Sequence, residues 1–258
     1  MKRFNTFTHV AVAVTSLVFA LTVISGGVAG ALPLLFDDFN DNSLDSTLWR
    51  TELNIPQGSA SVTETNQRIE LRNRGHLVTQ QEFDPGSYPD GITITGEWTF
   101  ASPDDVLSIY TRSTGIPDQS VSTAGGTLSG IEFHVWMNTA GSGLLGIANR
   151  ASNVLLAYAT ERLTIDVGDT FSFIVADTGT NVSFTMTEIV GSQVGDTSTV
   201  FGVDSTAFAS NHIEFYNREI AGIPHTAYLD NVTVVPEPNT ALLLGLGLSA
   251  LAVRREKR

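Results

Sequence analysis

The middle of the chain is dominated by short segments in which apolar and polar residues alternate. Between Ile92 and Phe100 the apolar residues share one face of a strand, and Thr or Glu takes the positions between them. Residues 107–112, 131–137 and 213–218 repeat this period of two, and Gly, Pro, Asp and Asn separate the segments. The pattern predicts about twelve strands and no amphipathic helix.

Strands that alternate in this way favour an all-β fold in which two antiparallel sheets stack. Each sheet of such a β-sandwich buries one face and leaves the other in water, so each strand needs one apolar and one polar side. Residues 171–175 and 182–186 are two such strands on either side of the turn Asp177–Thr180, as in a hairpin. We therefore expect residues 32–234 to fold as one antiparallel β-sandwich domain.

The N-terminal end breaks this pattern with a longer apolar run. Lys2 and Arg3 precede an apolar run over residues 10–24, and the small-residue triplet Ala29–Ala31 follows it. A positive start, an apolar centre and an Ala-x-Ala-like site are the features of a secretory signal peptide. Residues 1–31 are therefore predicted to be a signal peptide that is removed after export.

The C-terminal end combines a Pro-rich start, a short apolar stretch and a basic end. Pro236, Glu237 and Pro238 precede an uncharged stretch, and Arg254 and Arg255 begin the basic cluster. As a helix the stretch reaches about 21 Å, which is short of a hydrocarbon core of about 30 Å. The basic end would stay on the cytoplasmic side by the positive-inside rule. Such a short transmembrane helix predicts a transient membrane tether.

Residues 235–258 resemble the PEP-CTERM sorting signal of Gram-negative bacteria. The resemblance rests on the Pro-Glu-Pro motif, the short Leu- and Gly-rich stretch and the Arg-Arg end. It implies that an exosortase-type processing enzyme recognises the tail and that the protein reaches the cell envelope, the outer surface or the extracellular matrix. Proteins with this signal often accompany exopolysaccharide production. The tail thus implies destination and processing, and it does not identify the activity of the domain.

The body of the chain resembles concanavalin A-like lectin/glucanase domains. The likeness is carried by the opening segment Phe36–Asp45 followed by Trp49, by the segment Gly168–Phe173 and by the closing segment Leu229–Val232. It is spread over most of the body and includes no short diagnostic motif. The resemblance implies a jelly roll with the last strand near the first, and it implies no particular activity.

The charge of the body excludes several classes of partner. Residues 32–235 contain 25 Asp and Glu against 8 Arg and no Lys, a net charge of −17. Such a field repels nucleic acid and anionic lipid. The absence of Cys excludes disulfides and thiolate metal sites. An exported domain of this composition must therefore be held together by its core.

Polar and aromatic residues occupy the strand faces opposite the predicted core. On a jelly roll one outward face is concave and is a common place for sugars, because aromatic rings stack on sugar faces while Arg, Glu and His hydrogen-bond hydroxyl groups. The alternative is that these aromatic residues only lie at a surface or rim, as amphipathic rings often do. The candidate ligand-binding residues are Tyr110, Arg112, Glu132, His134, Trp136, Glu214 and Tyr216.

Glycoside hydrolysis is the enzymatic alternative for the same face. Retaining chemistry needs two carboxyl groups about 5–5.5 Å apart, and glucanases with this fold place them on one strand as Glu-x-Asp-x-x-Glu. The best equivalent, Glu132–Trp136, has one carboxylate, one imidazole and one indole, so the second carboxylate is missing. A pair between Glu132 and Glu214 of another strand would restore it. We therefore assign no catalytic residues.

The acidic segment at residues 37–45 raises the question of calcium. Its Asp and Asn residues have the one-three-five spacing of an EF-hand loop, but the Gly and Glu that such a loop requires are missing. One expectation is a structural Ca²⁺ site of the jelly-roll type, formed by Asp38 and Asp230 with backbone carbonyls. The other is a turn in which Asx side chains cap backbone N–H groups. No cofactor is otherwise required.

These features predict an exported, surface-sorted and non-enzymatic β-sandwich protein that associates with extracellular polysaccharide. Two alternatives stay open, a divergent polysaccharide-active enzyme and a purely structural matrix or adhesion component. The position of Glu132 relative to Glu214 tests the enzymatic alternative, because facing carboxyls in an open cleft would favour catalysis. Binding assays with polysaccharides test the structural alternative, because a purely structural component would show no glycan binding.

Overall fold

The structure is a computed structural model, and it describes residues 32–53, 60–115, 129–138, 140–217 and 225–237. The predicted signal peptide and the tail from Pro238 onward, with Arg254 and Arg255, lie outside these residues. Within the described residues, no helix is long and apolar enough to cross a bilayer.

Sixteen strands and one 3₁₀ turn form within this part of the chain. The 3₁₀ turn spans Pro85–Ser87. The shortest strands, of two or three residues, were not predicted, because segments of this length are too short to show a pattern of alternation. The strands are β1 (Leu35–Asp37), β2 (Trp49–Leu53), β3 (Ser61–Glu64), β4 (Ile69–Arg72), β5 (Gly75–Thr79), β6 (Ile92–Phe100), β7 (Val106–Ser113), β8 (Ile131–Met137), β9 (Ser142–Asn149), β10 (Val154–Tyr158), β11 (Leu163–Thr164), β12 (Thr170–Asp177), β13 (Asn181–Val190), β14 (Thr197–Val203), β15 (His212–Asn217) and β16 (Thr226–Pro236).

The strands form two antiparallel sheets of eight strands each. Sheet A has the order β14-β13-β12-β6-β16-β4-β3, with β1 paired to β16, and sheet B has the order β10-β9-β8-β7-β15-β5-β2, with β11 paired to β9. The first and last strands meet in sheet A, where Leu35 lies opposite Val234. The predicted antiparallel β-sandwich is therefore confirmed.

The core lies between the two sheets and is built from the apolar faces of the strands. Every second residue of β6, from Ile92 to Phe100, is buried, and the Thr and Glu residues between them are only partly buried on the opposite face. Aromatic rings join the sheets, since Phe133 of sheet B meets Phe184 of sheet A at 6.1 Å in an edge-to-face arrangement. Such pairs contribute about 0.5–1.5 kcal/mol beyond the area that they bury.

The predicted hairpin is present and its loop is one residue shorter than expected. β12 includes Asp177, so only the three residues 178–180 connect it to β13. Gly179 has a φ of 81°, a conformation that Gly adopts without strain, and its N–H donates to the Asp177 carboxylate at 2.8 Å. The Asp177 side chain thus caps the turn, which lets its backbone stay in the ladder.

Candidate functional site

The outer face of sheet B brings together most of the predicted binding residues. Residues two apart on a strand share a face, and the register of β15, β7 and β8 aligns these residues in two rows across the sheet. From β15 through β7 to β8, the first row is Glu214, Tyr110 and Glu132, and the second row is Tyr216, Ser108 and His134.

Glu132 is fully buried in this face and is held by a dense set of partners. Its Oε1 accepts hydrogen bonds from Ser108 Oγ at 2.7 Å and from Tyr110 OH at 3.0 Å. Its Oε2 forms an ion pair with the Arg150 guanidinium and lies 3.3 Å from His134 Nδ1. Burial alone would lower the pKa of Arg150, but the negative charge of Glu132 raises it. Glu132 therefore positions its neighbours and is shielded from solvent.

Glu214 is buried in the same manner on the other side of β7. It pairs with His76 Nδ1 and accepts a hydrogen bond from Ser113 Oγ at 2.8 Å. The His76 ring stacks on the Tyr216 ring with centroids 3.9 Å apart and planes 9° apart. Both aromatic side chains are buried as well. Tyr216 and Glu214 thus belong to a closed polar layer on the sheet.

The two carboxylates do not form an open catalytic pair. Glu132 and Glu214 lie on strands that are separated by β7, which places their backbones about 10 Å apart at the usual strand spacing. Tyr110 stands between them in the row, and both carboxylates are fully buried with their own partners. The described residues therefore show no facing carboxyls in an open cleft at this position.

The solvent-exposed part of the face is an aromatic platform, which we define as Trp136, His134, Gly146 and Tyr158. Trp136 is 50% exposed and Tyr158 is 52% exposed. His134 lies two residues before Trp136 on β8, opposite Gly146 of β9, and Gly146 lies opposite Tyr158 of β10. The platform therefore spans three adjacent strands of sheet B.

Gly146 shapes the floor of this platform. A Cβ atom at this position would lie 2.5 Å from His134 Nε2 and 2.8 Å from the Tyr158 ring, which is closer than real side chains approach. The missing side chain lets the two rings approach each other over β9, with centroids 6.2 Å apart and planes nearly perpendicular at 88°. The result is an edge-to-face contact between the largely buried His134 ring and the half-exposed Tyr158 ring.

Arg112 does not join the other predicted binding residues. It has a φ of 55°, next to an irregularity in the pairing of β15 with β7, and its guanidinium pairs with Asp177. A second contact runs from Arg112 Nη1 to the Asp204 carbonyl at 3.1 Å. The expectation that Arg112 shares the face of Tyr110 is corrected, because the irregular backbone turns this side chain toward sheet A.

The region of Asp38 and Asp230 contains acidic groups that repel each other. Burial raises the pKa of Asp230, and the nearby charges of Glu97 and Asp38 raise it further. The Asp37 carboxylate accepts a hydrogen bond from the Trp49 indole N–H at 2.7 Å. No group of three or more His, Cys, Asp or Glu among the described residues is placed to hold a metal ion. The structure therefore shows no metal site at these residues.

Sequence reasoning missed several residues of this face. His76 lies on β5, outside the segments that were singled out, Arg150 follows β9 in a turn, and Tyr158 lies on a strand with a register shift after Leu155. Gly146 carries no side-chain signal at all. The pairing of strands, which the sequence does not specify, was needed to place these residues beside Glu132, His134 and Glu214.

Comparison with solved structures defines the class of fold as a lectin-like jelly roll. A protein from Bacillus subtilis with a galectin-like fold has 14% identity and a TM-score of 0.51, covering 80% of this chain and 97% of its own. The VIP36 exoplasmic/lumenal domain, in a Ca²⁺/Man3GlcNAc-bound form, has 8% identity and a TM-score of 0.55, covering 80% and 91%. Peanut lectin has 16% identity and a TM-score of 0.52, covering 78% and 98%.

The family comparison adds a sorting motif to this fold. Residues 234–258 match the PEP-CTERM protein-sorting motif, which confirms the resemblance found in the tail and indicates export to the cell surface. The likeness to the solved structures, at these low identities, shows the fold alone. Among curated proteins, none matches this chain.

Proposed function

We propose that this protein is a non-enzymatic, surface-sorted lectin-like protein that binds a neutral extracellular polysaccharide. The observation that carries the proposal is the aromatic platform, where Trp136 and Tyr158 are half exposed and Tyr158 contacts the His134 ring. Large exposed rings on one face of a sheet are the chemistry that stacks on the apolar faces of sugar rings. The proposed binding requires no cofactor.

The closed polar layer below the platform supports this role. His134 Nδ1 lies 3.3 Å from the buried Glu132 carboxylate, which is itself fixed by Arg150 and Ser108. Binding sites that are fixed in advance lose less conformational entropy when the ligand arrives. The imidazole would hydrogen-bond a sugar hydroxyl between the two stacking rings.

The same layer argues against the enzymatic alternative. A glycosidase needs a carboxylic acid and a second carboxylate that reach the scissile bond. Glu132 and Glu214 are fully buried, and their oxygens accept hydrogen bonds and ion pairs from the protein itself. We therefore propose that both carboxylates stabilise the face and do not act on the sugar.

The charge of the body favours a neutral polymer. Residues 32–235 have a net charge of −17, and a field of this sign raises the energy of an approaching anionic chain. The platform itself contains one basic side chain, His134, which already faces the Glu132 carboxylate. An uncharged glucan, mannan or galactan avoids this repulsion.

Processing at the tail completes the proposal. β16 runs to Pro236, and the Glu237 N–H donates to the Gly91 carbonyl at 2.8 Å, so the last described strand reaches the Pro-Glu-Pro motif. We propose that an exosortase-type enzyme of a Gram-negative bacterium cuts at this motif, and that the membrane contact of the tail is transient. Removal of the residues after the motif would leave every described strand intact.

A binding experiment tests the function. The purified full-length chain is exposed to immobilised glucan, mannan, galactan and anionic alginate, and affinity is measured for wild type and for Trp136→Ala. We expect binding to at least one neutral polymer and at least a tenfold loss of affinity in the variant, which corresponds to about 1.4 kcal/mol.

Phe201→Ala is the matched control for this experiment. Phe201 is 74% exposed on β14 of sheet A, so this substitution removes an exposed aromatic ring without changing the platform. The control is expected to bind like wild type, and both variants should melt like wild type because exposed side chains contribute little to stability. Absence of binding to all polymers, or equal binding by Trp136→Ala, would refute the proposal.

A structural matrix or adhesion component is the second candidate, and the edge strand β14 favours it. Its sequence from Thr197 to Val203 contains no charge and no Pro, and Phe201 and Val203 are strongly exposed. Uncharged edge strands of this kind tend to pair with other chains. Self-association without polysaccharide binding would support this second role.

A further inference from the structure

Two buried carboxylates meet at one end of sheet A, away from the aromatic platform. Asp169 directly precedes β12, and Glu188 lies near the end of β13. Asp169 is 5% exposed and Glu188 is 1% exposed. One oxygen of each carboxylate lies 2.3 Å from the position that a Cβ on Gly191 would take, so the two oxygens are within twice this distance of each other.

The hydrogen bonds around Asp169 and Glu188 do not use every acceptor oxygen of the two carboxylates. Glu188 Oε1 accepts from the Gln193 N–H at 2.7 Å, and Asp169 Oδ2 accepts from the Asp166 N–H at 2.7 Å. Glu188 Oε2 is buried and has no hydrogen-bond partner. Among the described residues, none of the ion pairs includes Asp169 or Glu188.

Such a pair is unfavourable unless something positive lies between the two groups. Two like charges at this separation repel strongly when they are removed from water, and a buried oxygen without a partner adds a further penalty. Gly191 has a φ of 149° and no side chain, so the space beside both oxygens is kept open. A bound cation would relieve the repulsion.

We propose that Asp169 and Glu188 bind a calcium ion in the cradle beside Gly191. Calcium takes oxygen ligands at about 2.3–2.6 Å, and the two carboxylate oxygens are close enough for one ion to reach both. Two carboxylates balance its charge, and backbone carbonyls and water complete a shell of about six to eight ligands. The described residues offer no third His, Cys, Asp or Glu in ligand geometry.

The site would tie together two turns of a domain that has no disulfide. The turn at 166–169 contains one ligand, and the loop from Gly191 to Asp196 packs against the other through the Gln193 N–H. The chain has no Cys, so an ion here would replace a covalent link between β12 and the β13–β14 connection. Calcium sites of extracellular modules bind with dissociation constants of about 10⁻⁴–10⁻³ M, which suits an exported protein.

Calorimetry and thermal unfolding of the full-length chain test this site. Millimolar CaCl₂ is expected to raise the Tm of wild type relative to EDTA and to give a saturable binding signal. Glu188→Gln should weaken calcium binding at least tenfold and abolish the rise in Tm. In EDTA this variant should melt at or above wild type, because the substitution removes the repulsion. A carboxylate with only a structural role would lower the Tm equally with and without calcium.

Asp230→Asn is the matched control, because it removes a carboxylate from the other acidic region. It should keep the wild-type response to calcium. The proposal is overturned if wild type neither binds calcium nor gains stability from it. It is also overturned if calcium binding survives Glu188→Gln and disappears in Asp230→Asn.

Discussion

At the scale of single residues, burial and not residue type separates ligand candidates from structural groups. Tyr110, Glu132 and Glu214 have the side chains of a sugar-binding site, yet each is buried among partners from its own sheet. Trp136 and Tyr158 keep about half of their surface in solvent. A buried carboxylate that already pairs with a cation gains little from a ligand, whereas an exposed ring gains by covering its apolar face.

Asp105 is a further buried acid, and its protonation is coupled to the stability of the fold. Its Oδ2 accepts from the backbone N–H groups of Ala101 and Ser102, and burial raises its pKa to about 7. The unfolded chain releases this proton near 3.8. The stabilising contribution of the proton is therefore complete below about pH 4 and is lost as the pH rises to about 7.

We predict that wild type loses stability across this window, at up to about 1.4 kcal/mol per pH unit from this group. Asp105→Asn should flatten the profile, because it keeps the acceptor oxygen and cannot ionise. Urea unfolding at a series of pH values measures this, and Asp104→Asn on the less buried neighbour is the control. A profile that is equally steep in Asp105→Asn would contradict the assignment.

At the scale of elements, the ion pair of Arg112 with Asp177 fastens sheet B to the β12–β13 hairpin. Arg112 lies near the end of β7, and its guanidinium also donates to the carbonyls of Asp204 and Thr206. Asp177 in turn caps the hairpin turn. Loss of one partner from a buried pair leaves an uncompensated charge and costs about 3–5 kcal/mol.

Arg112→Ala is therefore expected to lower the free energy of unfolding by about 3–5 kcal/mol, as measured with urea. The folded fraction should bind polysaccharide within about twofold of wild type, or about 0.4 kcal/mol. Arg72→Ala is the control, because Arg72 pairs with Glu70 at the surface and such pairs contribute less than about 1 kcal/mol. A strong loss of polysaccharide binding without loss of stability would contradict this structural role and would indicate that Arg112 belongs to the binding site.

The sequence predicts strands well where the alternation is long, and it predicts them poorly where strand pairing determines the face on which a side chain lies. β6 shows unbroken alternation, and the inward faces of β6 and β12 were both predicted correctly, although Ile174 is an exposed apolar residue on the outer face of β12. β10 has a register shift after Leu155, so Tyr158 could not be assigned to a face. Arg112 was misplaced because a positive φ near the end of a strand has no signal in the side-chain pattern.

At the scale of the whole molecule, function is divided between the tail and the domain. The sorting motif begins at residue 234, inside β16, so the last strand of the sandwich leads directly into the signal for its destination. The aromatic platform lies on sheet B and the proposed calcium cradle lies at the end of sheet A. Binding and stability can therefore be changed separately, which makes the proposals independently testable.

The central claim is that sugar binds at Trp136, and one NMR titration addresses it directly. The chain has three Trp, of which Trp49 and Trp98 are buried in the core and Trp136 is half exposed. Their indole N–H signals are assigned with Trp136→Phe, and a soluble oligosaccharide of the bound neutral polymer is then titrated. We predict a saturable shift of the Trp136 signal alone. Saturable binding that leaves this signal unmoved would contradict it.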